Sequence, residues 1–306
     1  MNDRAREFFE RSQPDRSRVQ YPEDVVFLCG GALGKSARSV KSMRDFIYRN
    51  RSEICAEKSV ILAERAAERF DSRVFGNLIE LERHIASISR IILLVCESAG
   101  SIAELGAFSM VEEIAARLLV IVHDEHYQAN SFIRDGPLRF LESENERSVQ
   151  QFRWLEKSRV SIDVESAELI KVPMSAAVKN FGRSQFRQEA FDADRVGHKI
   201  LLVAGIVAYT RCCKIREITE YANIFGVELS QSEANKYLFC LEIFEWVKSV
   251  KRDTYYYYYN RPEMPFLFRG LDSRGSFDPV RVRHDIAQAY DDDDPRLNVI
   301  AESVAR

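Results

Sequence analysis

The chain has 306 residues, 46% hydrophobic and 30% charged, enough for one large or two ordinary packed domains and too apolar for a disordered chain. Its net charge of −3 demands no polyanionic partner, and no apolar run approaches the roughly 18 residues a membrane-crossing helix needs. Six cysteines without CxxC spacing predict reduced thiols and no metal site. A polar start at Met1-Asn-Asp-Arg lacks a signal-peptide core, so the expectation is a cytoplasmic protein with no membrane contact.

In chain order, residues 1–20 read as a polar arm or first helix. Val25–Cys29 is a short apolar run closed by Gly30-Gly31, the pattern of a buried strand and a tight turn. Helical spacing covers Ser39–Asn50, Val60–Ala63 reads as a second strand, and Leu78–Ile88 as a helix. Arg90–Cys96 is the strongest strand pattern, followed by a helix from about Ile102 to Arg117 and a strand at Leu118–Val122. Such Val/Ile/Leu runs alternating with helices predict an α/β domain built on a doubly wound parallel sheet, assigned with the arm to residues 1–175. Within it, 124–152 reads as loop and Val160–Val172 as an edge strand. Three helices follow: His198–Tyr209, Ile215–Phe225 stopped by Gly226, and one opening at Ser230 or Ser232 and running to about Val247. A strand, a turn and the strand Tyr255–Tyr259 complete the order of a winged helix-turn-helix, a smaller α+β domain over 195–290. Residues 291–306 read as an acidic C-terminal tail.

Ligands of open α/β sheets bind beyond the carboxyl ends of the strands, and two turns there carry polar chemistry. Gly30-Gly31-Ala-Leu-Gly34-Lys35-Ser36-Ala-Arg38 imitates a phosphate loop, but Cys29 stands where a Walker motif needs glycine. Gly30, Gly31, Ser36 and Arg38 either cradle a phosphate or form an ordinary strand-to-helix turn. The second turn is Ser98-Ala-Gly100-Ser101-Ile-Ala-Glu104-Leu-Gly106. It is either a capping box, with Ser101 as cap and Glu104 at its third position, or a ligand site in which Glu104 faces the crevice beside Ser98, Gly100 and Ser101.

A strand followed by Ser-x-Gly-Ser-x-x-Glu-Leu-Gly, with the early Leu-Cys-Gly-Gly strand end, resembles the nucleoside 2-deoxyribosyltransferase-like N-glycosidases over residues 22–125. The resemblance implies that Glu104 attacks or stabilises the sugar C1′ as the base departs, and that Ser98 and Ser101 hold sugar or phosphate. The chemistry agrees, since an oxocarbenium-like sugar is stabilised or captured by a carboxylate. A neutral purine also needs a general acid, for which Glu64 and Asp71 are the candidates, each equally readable as a surface carboxylate. Nicotinamide leaves from a pyridinium and needs none, which favours NAD as substrate, with no cofactor. Joined to a winged-helix-like domain, the pattern resembles the effectors of bacterial retron antiphage systems. That implies a toxin held in check by a reverse transcriptase and its RNA–DNA hybrid in an oligomeric assembly. The rivals are a deoxyribosyltransferase or hydrolase acting on free nucleoside or nucleotide pools, and a nucleotide-sensing DNA-binding regulator indifferent to loss of Glu104.

His123 and His126 lie three apart, but no third ligand follows and a polar loop explains them. Glu80 and Glu82 either point toward the pocket or lie on an exposed helix face. Tyr255–Tyr259 is the most unusual composition in the chain. One face of that strand is expected to pack on the helices. The other, with Tyr256, Tyr258, Lys248, Lys251 and Arg252, either contacts nucleic acid or a protein partner, or is simply solvated. The third helix carries too little positive charge to read a major groove.

Overall fold

Five apolar runs pair into one parallel sheet: β1 (Val25–Cys29), β2 (Ser59–Leu62), β3 (Ile91–Cys96), β4 (Leu118–His123) and β5 (Val149–Phe152), in the order β2-β1-β3-β4-β5. The computed structural model from which this is drawn describes every residue except 1, 23–24, 36–38, 56–57, 159–160, 186–187, 261–265, 274 and 305–306. Phe27 pairs with Ile61 on one side and Ile92 on the other, and Leu94 pairs with Val120. The chain steps from β1 to β2, then crosses back over β1 to β3, so the topological switch point lies between the carboxyl ends of β1 and β3. Every residue of β3 is buried, which explains a strand with no polar alternation.

On one face Val26, Leu28, Leu93, Val95 and Ile121 pack against Met43, Phe46 and Ile47 of α1 (Met43–Arg49) and Met174, Val178 and Phe181 of α4 (Val164–Ser184). Each such side chain contributes about 1.5–3 kcal/mol on burial. Between these helices come α2 (Ala63–Arg69) and α3 (Ala99–Ser109). The fifth strand is Val149–Phe152, and the expected edge strand at Val160–Val172 gives way, from Val164, to α4. Asp163 caps that helix by accepting from the Ser166 N–H at 2.8 Å, and its buried Ala167, Met174, Val178 and Phe181 recur at helical rather than alternate spacing.

Contacts divide the chain into two units, 23–67 with 85–186, and 1–22 with 68–84 and 187–306. The residue-175 boundary drawn from the sequence falls inside α4, and the N-terminal arm belongs by contact to the second unit. That unit holds α5 (Val196–Thr210), β6 (Cys212–Cys213), α6 (Ile215–Phe225), α7 (Gln231–Ile243), β7 (Lys248–Arg252), β8 (Tyr255–Tyr259), α8 (Pro279–Gln288) and α9 (Pro295–Val304). Gly226 ends α6 at φ +97°, and Ser230 caps α7 in a capping box with Glu233. The small sheet is antiparallel, in the order β6-β8-β7. Every residue of α5 from Ile200 to Thr210 is buried, as befits a helix apolar on all sides. The arm forms a helix, Asp3–Arg11, whose Phe8 packs on Tyr209 and Phe9 on Tyr221, at centroid distances of 4.5 and 5.4 Å. The acidic run 291–294 leads into a docked helix: Val299 and Ile300 of α9 are buried with Tyr257 and Cys212.

Candidate active site

At the switch point, two turns meet on one carboxylate. β1 ends at Cys29, and the chain passes through Gly30 and Gly31 to Ser42, which caps α1 by accepting from the Asp45 N–H at 3.0 Å. β3 ends at Cys96, and Glu97 follows it. The Glu97 Oε1 accepts from the backbone N–H of Gly31 at 3.1 Å and of Arg44 at 3.0 Å, and its Oε2 from that of Met43 at 2.8 Å. Burial pushes the Glu97 carboxyl above its ordinary range, and these N–H groups with the Ser42 hydroxyl pull partly the other way. The helix N-terminus where doubly wound folds bind phosphate is thus filled by the protein's own carboxylate. The Gly31 N–H, expected to meet a phosphate, meets Glu97.

The glycines are required by this closeness. A Cβ on Gly31 would lie 2.8 Å from the Glu97 Oε1, and Gly30, at φ +147°, sits where a Cβ would come within 3.0 Å of the Val95 Cβ. Ser36 and Arg38 lie outside the described residues.

The cap of α3 is Ser98, not Ser101. Because β3 stops at Cys96, the helix starts at Ala99 and Ser101 takes its third position. The Ser98 Oγ accepts from the Ser101 N–H at 3.2 Å, and the Ser101 Oγ accepts from the N–H groups of Ser98 and Glu97 at 2.9 and 3.1 Å. Ser101 is fully buried, so its hydroxyl serves the turn and presents no face to a sugar. Ser98 lines the adjoining cleft. Gly100 is exposed, and a Cβ there would make only an ordinary contact with the Ser98 Oγ at 3.8 Å. Glu104 falls a full turn beyond the capping box and takes no part in it.

That frees Glu104 for chemistry. Its Oε2 is shielded from solvent and has no hydrogen-bond partner among the described residues. Burial raises its pKa, the Arg44 guanidinium opposes the rise, and the neighbouring Glu64 carboxylate adds to it. Arg44 is 2% exposed. Its Nη1 donates to the Glu64 Oε1 at 2.5 Å and to the Gly31 carbonyl at 3.1 Å, its Nη2 pairs with the other Glu64 oxygen, and its Nε has no partner among the described residues. One guanidinium therefore stands in the field of two carboxylates, one bound to it and one free. A buried carboxylate with an unused lone pair is costly to maintain. Such a group can stabilise or capture a cationic sugar.

Of the two acids considered as proton donors, Glu64 belongs to this cluster. Asp71 is instead half-buried and gripped by the exposed Arg73 at 2.7 Å, which holds its carboxyl down at about 2. Glu80 accepts from Lys236 at 2.5 Å in the second unit. Arg44 went unpredicted; its one sequence signal is a cation amid Met43, Phe46 and Ile47.

Beside Glu97 a cleft of about 510 Å³ opens beyond the ends of β1, β3 and β4, lined among others by Lys41, Ser98, His123 and His126. The His123 Nε2 lies 2.9 Å from the Trp154 carbonyl, and its Nδ1 accepts from the Glu125 N–H at 3.2 Å. Both ring nitrogens are therefore engaged. Among the described residues, no three His, Cys, Asp or Glu side chains gather where they could hold a metal ion, and no helix is long and apolar enough to cross a membrane.

In the second unit Tyr256 is exposed with Lys251 beside it, Tyr258 and Lys248 are half-buried, and the Arg252 guanidinium is bound to the Glu302 carboxylate at 2.5 and 2.6 Å.

A family described as the STM3845 retron effector protein matches residues 40–249. The chain is 33% identical over 129 residues to a candidate ribosyltransferase/DNA-binding protein of retron Ec86 from Escherichia coli, covering 41% of this chain and 39% of that protein. It is 23% identical over 138 residues to the similarly named protein of retron Ec73, also from Escherichia coli, covering 44% of each. The chain thus spans less than half the length of the curated relatives it matches.

Proposed function

Since the chain belongs to the STM3845 retron effector family, we propose that it is the toxic effector of a retron antiphage system and cleaves the N-glycosidic bond of NAD through Glu104. The observation that carries this reading is the buried Glu104 Oε2, which no described residue satisfies, on the helix that follows the fully buried strand β3. In the reaction the bond from C1′ to the pyridinium nitrogen breaks and its electron pair neutralises that nitrogen, releasing nicotinamide. Glu104 stabilises the resulting C1′ cation or bonds to it. Water then adds at C1′ and gives up its proton, leaving ADP-ribose. No acid is needed for the leaving group, which suits a cluster whose other carboxylate, Glu64, is already held by Arg44.

The relatives' names pair a ribosyltransferase with a DNA-binding protein, in keeping with an N-glycosidase-like sheet unit joined to a winged-helix unit. The order α5-β6-α6-α7-β7-β8, with its three-stranded antiparallel sheet, supports the second half of that reading. We assign this unit to docking on the retron's reverse transcriptase and RNA–DNA hybrid, within an oligomeric assembly that restrains the toxin. A second reading, transfer or hydrolysis on free nucleosides, requires an acid for the departing purine, a role Glu64 fills only on release from Arg44.

The test is to incubate the purified chain, alone and with its retron's reverse transcriptase and RNA–DNA, with NAD, nucleosides and nucleotides, and to assay free base by chromatography. Nicotinamide from NAD is expected. Base from nucleosides but not from NAD would favour the second reading, and no base in any assembly state would overturn both.

A further inference from the structure

The third helix of a winged helix is the one that enters a DNA groove, and in this chain that helix is covered. Residues 68–84, part of the same unit, lie on α7. The Lys236 ammonium meets the Glu80 carboxylate at 2.5 Å, Phe75 packs edge-on to Phe239 at 5.6 Å, and the Arg69 guanidinium donates to the Glu242 carbonyl at 3.0 Å. Only Gln231, Ser232 and Asn235 of α7 are exposed, and none is charged. Its one cation, Lys236, is already paired. A helix with no free cation has little to offer a phosphate backbone.

The hairpin β7–β8 has the opposite character. Tyr255 and Tyr256, next to its turn, are 55% and 54% exposed and, as neighbours on a strand, face opposite sides. Each has an ammonium over its ring, Lys214 at 3.9 Å from the Tyr255 centroid and Lys251 at 5.9 Å from that of Tyr256. Tyr257, the next residue of the strand, is buried at 3% exposure with Val299 and Ile300, which fixes the strand that presents them. The acidic groups lie mainly to the sides. Glu302 is bound to Arg252, Glu242 accepts from Ser249 at 2.5 Å and bears on the half-buried Tyr258, and Asp253 is in the turn. This geometry selects Tyr255, Tyr256, Lys214 and Lys251 at the tip and leaves Tyr258 out.

We propose that the tip of this hairpin is a stacking platform for the unpaired bases of a single-stranded nucleic acid, and that α7 reads no duplex groove. The inference rests on the winged-helix reading of residues 196–259. An exposed aromatic ring stacks on any unpaired base, and lysines beside it hold the backbone. Bases in a duplex are already stacked and turn no face to such a tip.

The experiment uses the full chain and measures fluorescence anisotropy with a labelled oligothymidylate and with a labelled duplex of equal length. The single strand is expected to bind more tightly. Tyr255→Ala and Tyr256→Ala should each weaken that binding roughly fivefold to a hundredfold, Tyr256→Phe should restore it, and Asn235→Glu on α7 should leave it unchanged. All three positions are exposed, and circular dichroism checks that each of the four variants folds. Preference for the duplex with loss in Asn235→Glu would overturn the proposal and leave the winged-helix reading standing. Single-strand binding indifferent to both tyrosines would overturn it as well. Binding to neither probe would overturn proposal and reading together.

Discussion

Replacing Glu97 with alanine removes the acceptor from three backbone N–H groups at once, those of Gly31, Met43 and Arg44, at 3.1, 2.8 and 3.0 Å. A hydrogen bond to a charged partner contributes about 1.5–3 kcal/mol, and a buried donor left unpaired costs about 1–3 kcal/mol. Two effects oppose this loss. The variant no longer dehydrates a carboxylate, which in a protein interior costs several kcal/mol, and the cleft beside Glu97 lets water reach part of what is freed. The balance is a destabilisation of about 2–4 kcal/mol for Glu97→Ala. Glu97→Gln keeps one acceptor oxygen but turns an NH2 toward N–H donors, so its cost should be of similar sign and smaller. The two tryptophans make the assay specific: Trp154 is buried in the sheet unit and Trp246 in the other. Urea titration by fluorescence in a Trp246→Phe background therefore reports the sheet unit alone. A change below about 1 kcal/mol for Glu97→Ala, less than one lost charged hydrogen bond, would mean that water serves these N–H groups equally well. It would refute the idea that Glu97 clasps the two turns together.

Further outcomes follow from the same geometry. Burial raises the Glu104 pKa in the folded unit, so its contribution to stability is fully present below the unfolded carboxylate pKa and is lost as pH rises through the folded value. Glu104→Gln should therefore be more stable than wild type by about 1 kcal/mol or more at pH 8, the scale of one unpaired buried polar group, with the two converging near pH 4; parallel urea midpoints check this. Arg44→Met strands Glu64 and Glu104 without their cation and should cost about 3–5 kcal/mol by the same titration. Gly205→Ala would put a Cβ 2.5 Å from the Phe268 Cβ and should destabilise the second unit by about 1–3 kcal/mol, read through Trp246. All six cysteines are buried and none is in a disulfide, with burial pushing Cys96 up to about 11 and Cys55 and Cys212 to about 12. A thiol reagent should therefore react with them only once urea is added.

The strands β1, β3 and β4 are legible because each is a continuous apolar run, the pattern of a parallel strand covered on both faces; Val60–Leu62 reads the same way, although at the sheet edge only Ile61 is buried. The fifth, Val-Gln-Gln-Phe, is too short and too polar to stand out. The short stretch Val160–Val172 hid a helical period that appears only from Ala167 to Phe181 of α4. The sequence reads Ser101 as the cap, and Ser98 takes that place because β3 stops at Cys96, a matter of register rather than composition. Glu104 was legible through its motif, but the residues that shape its electrostatics were not. Arg44 and Glu64 lie 20 positions apart and meet only because β1 and β2 are neighbours in the sheet. Residues 68–84 carry no sequence mark of joining α7, because their partners lie more than 150 positions away.

The central claim is that Glu104 is the catalytic carboxylate of an NAD-cleaving effector. Its most direct test is to induce wild type and Glu104→Gln in bacterial cells, without the retron's reverse transcriptase, and to follow NAD and growth. The wild type is predicted to drain NAD and arrest growth, while a Gln variant of equal abundance and at least equal stability does neither. NAD loss that proceeds alike in both would contradict the claim and return Glu104 to a structural role.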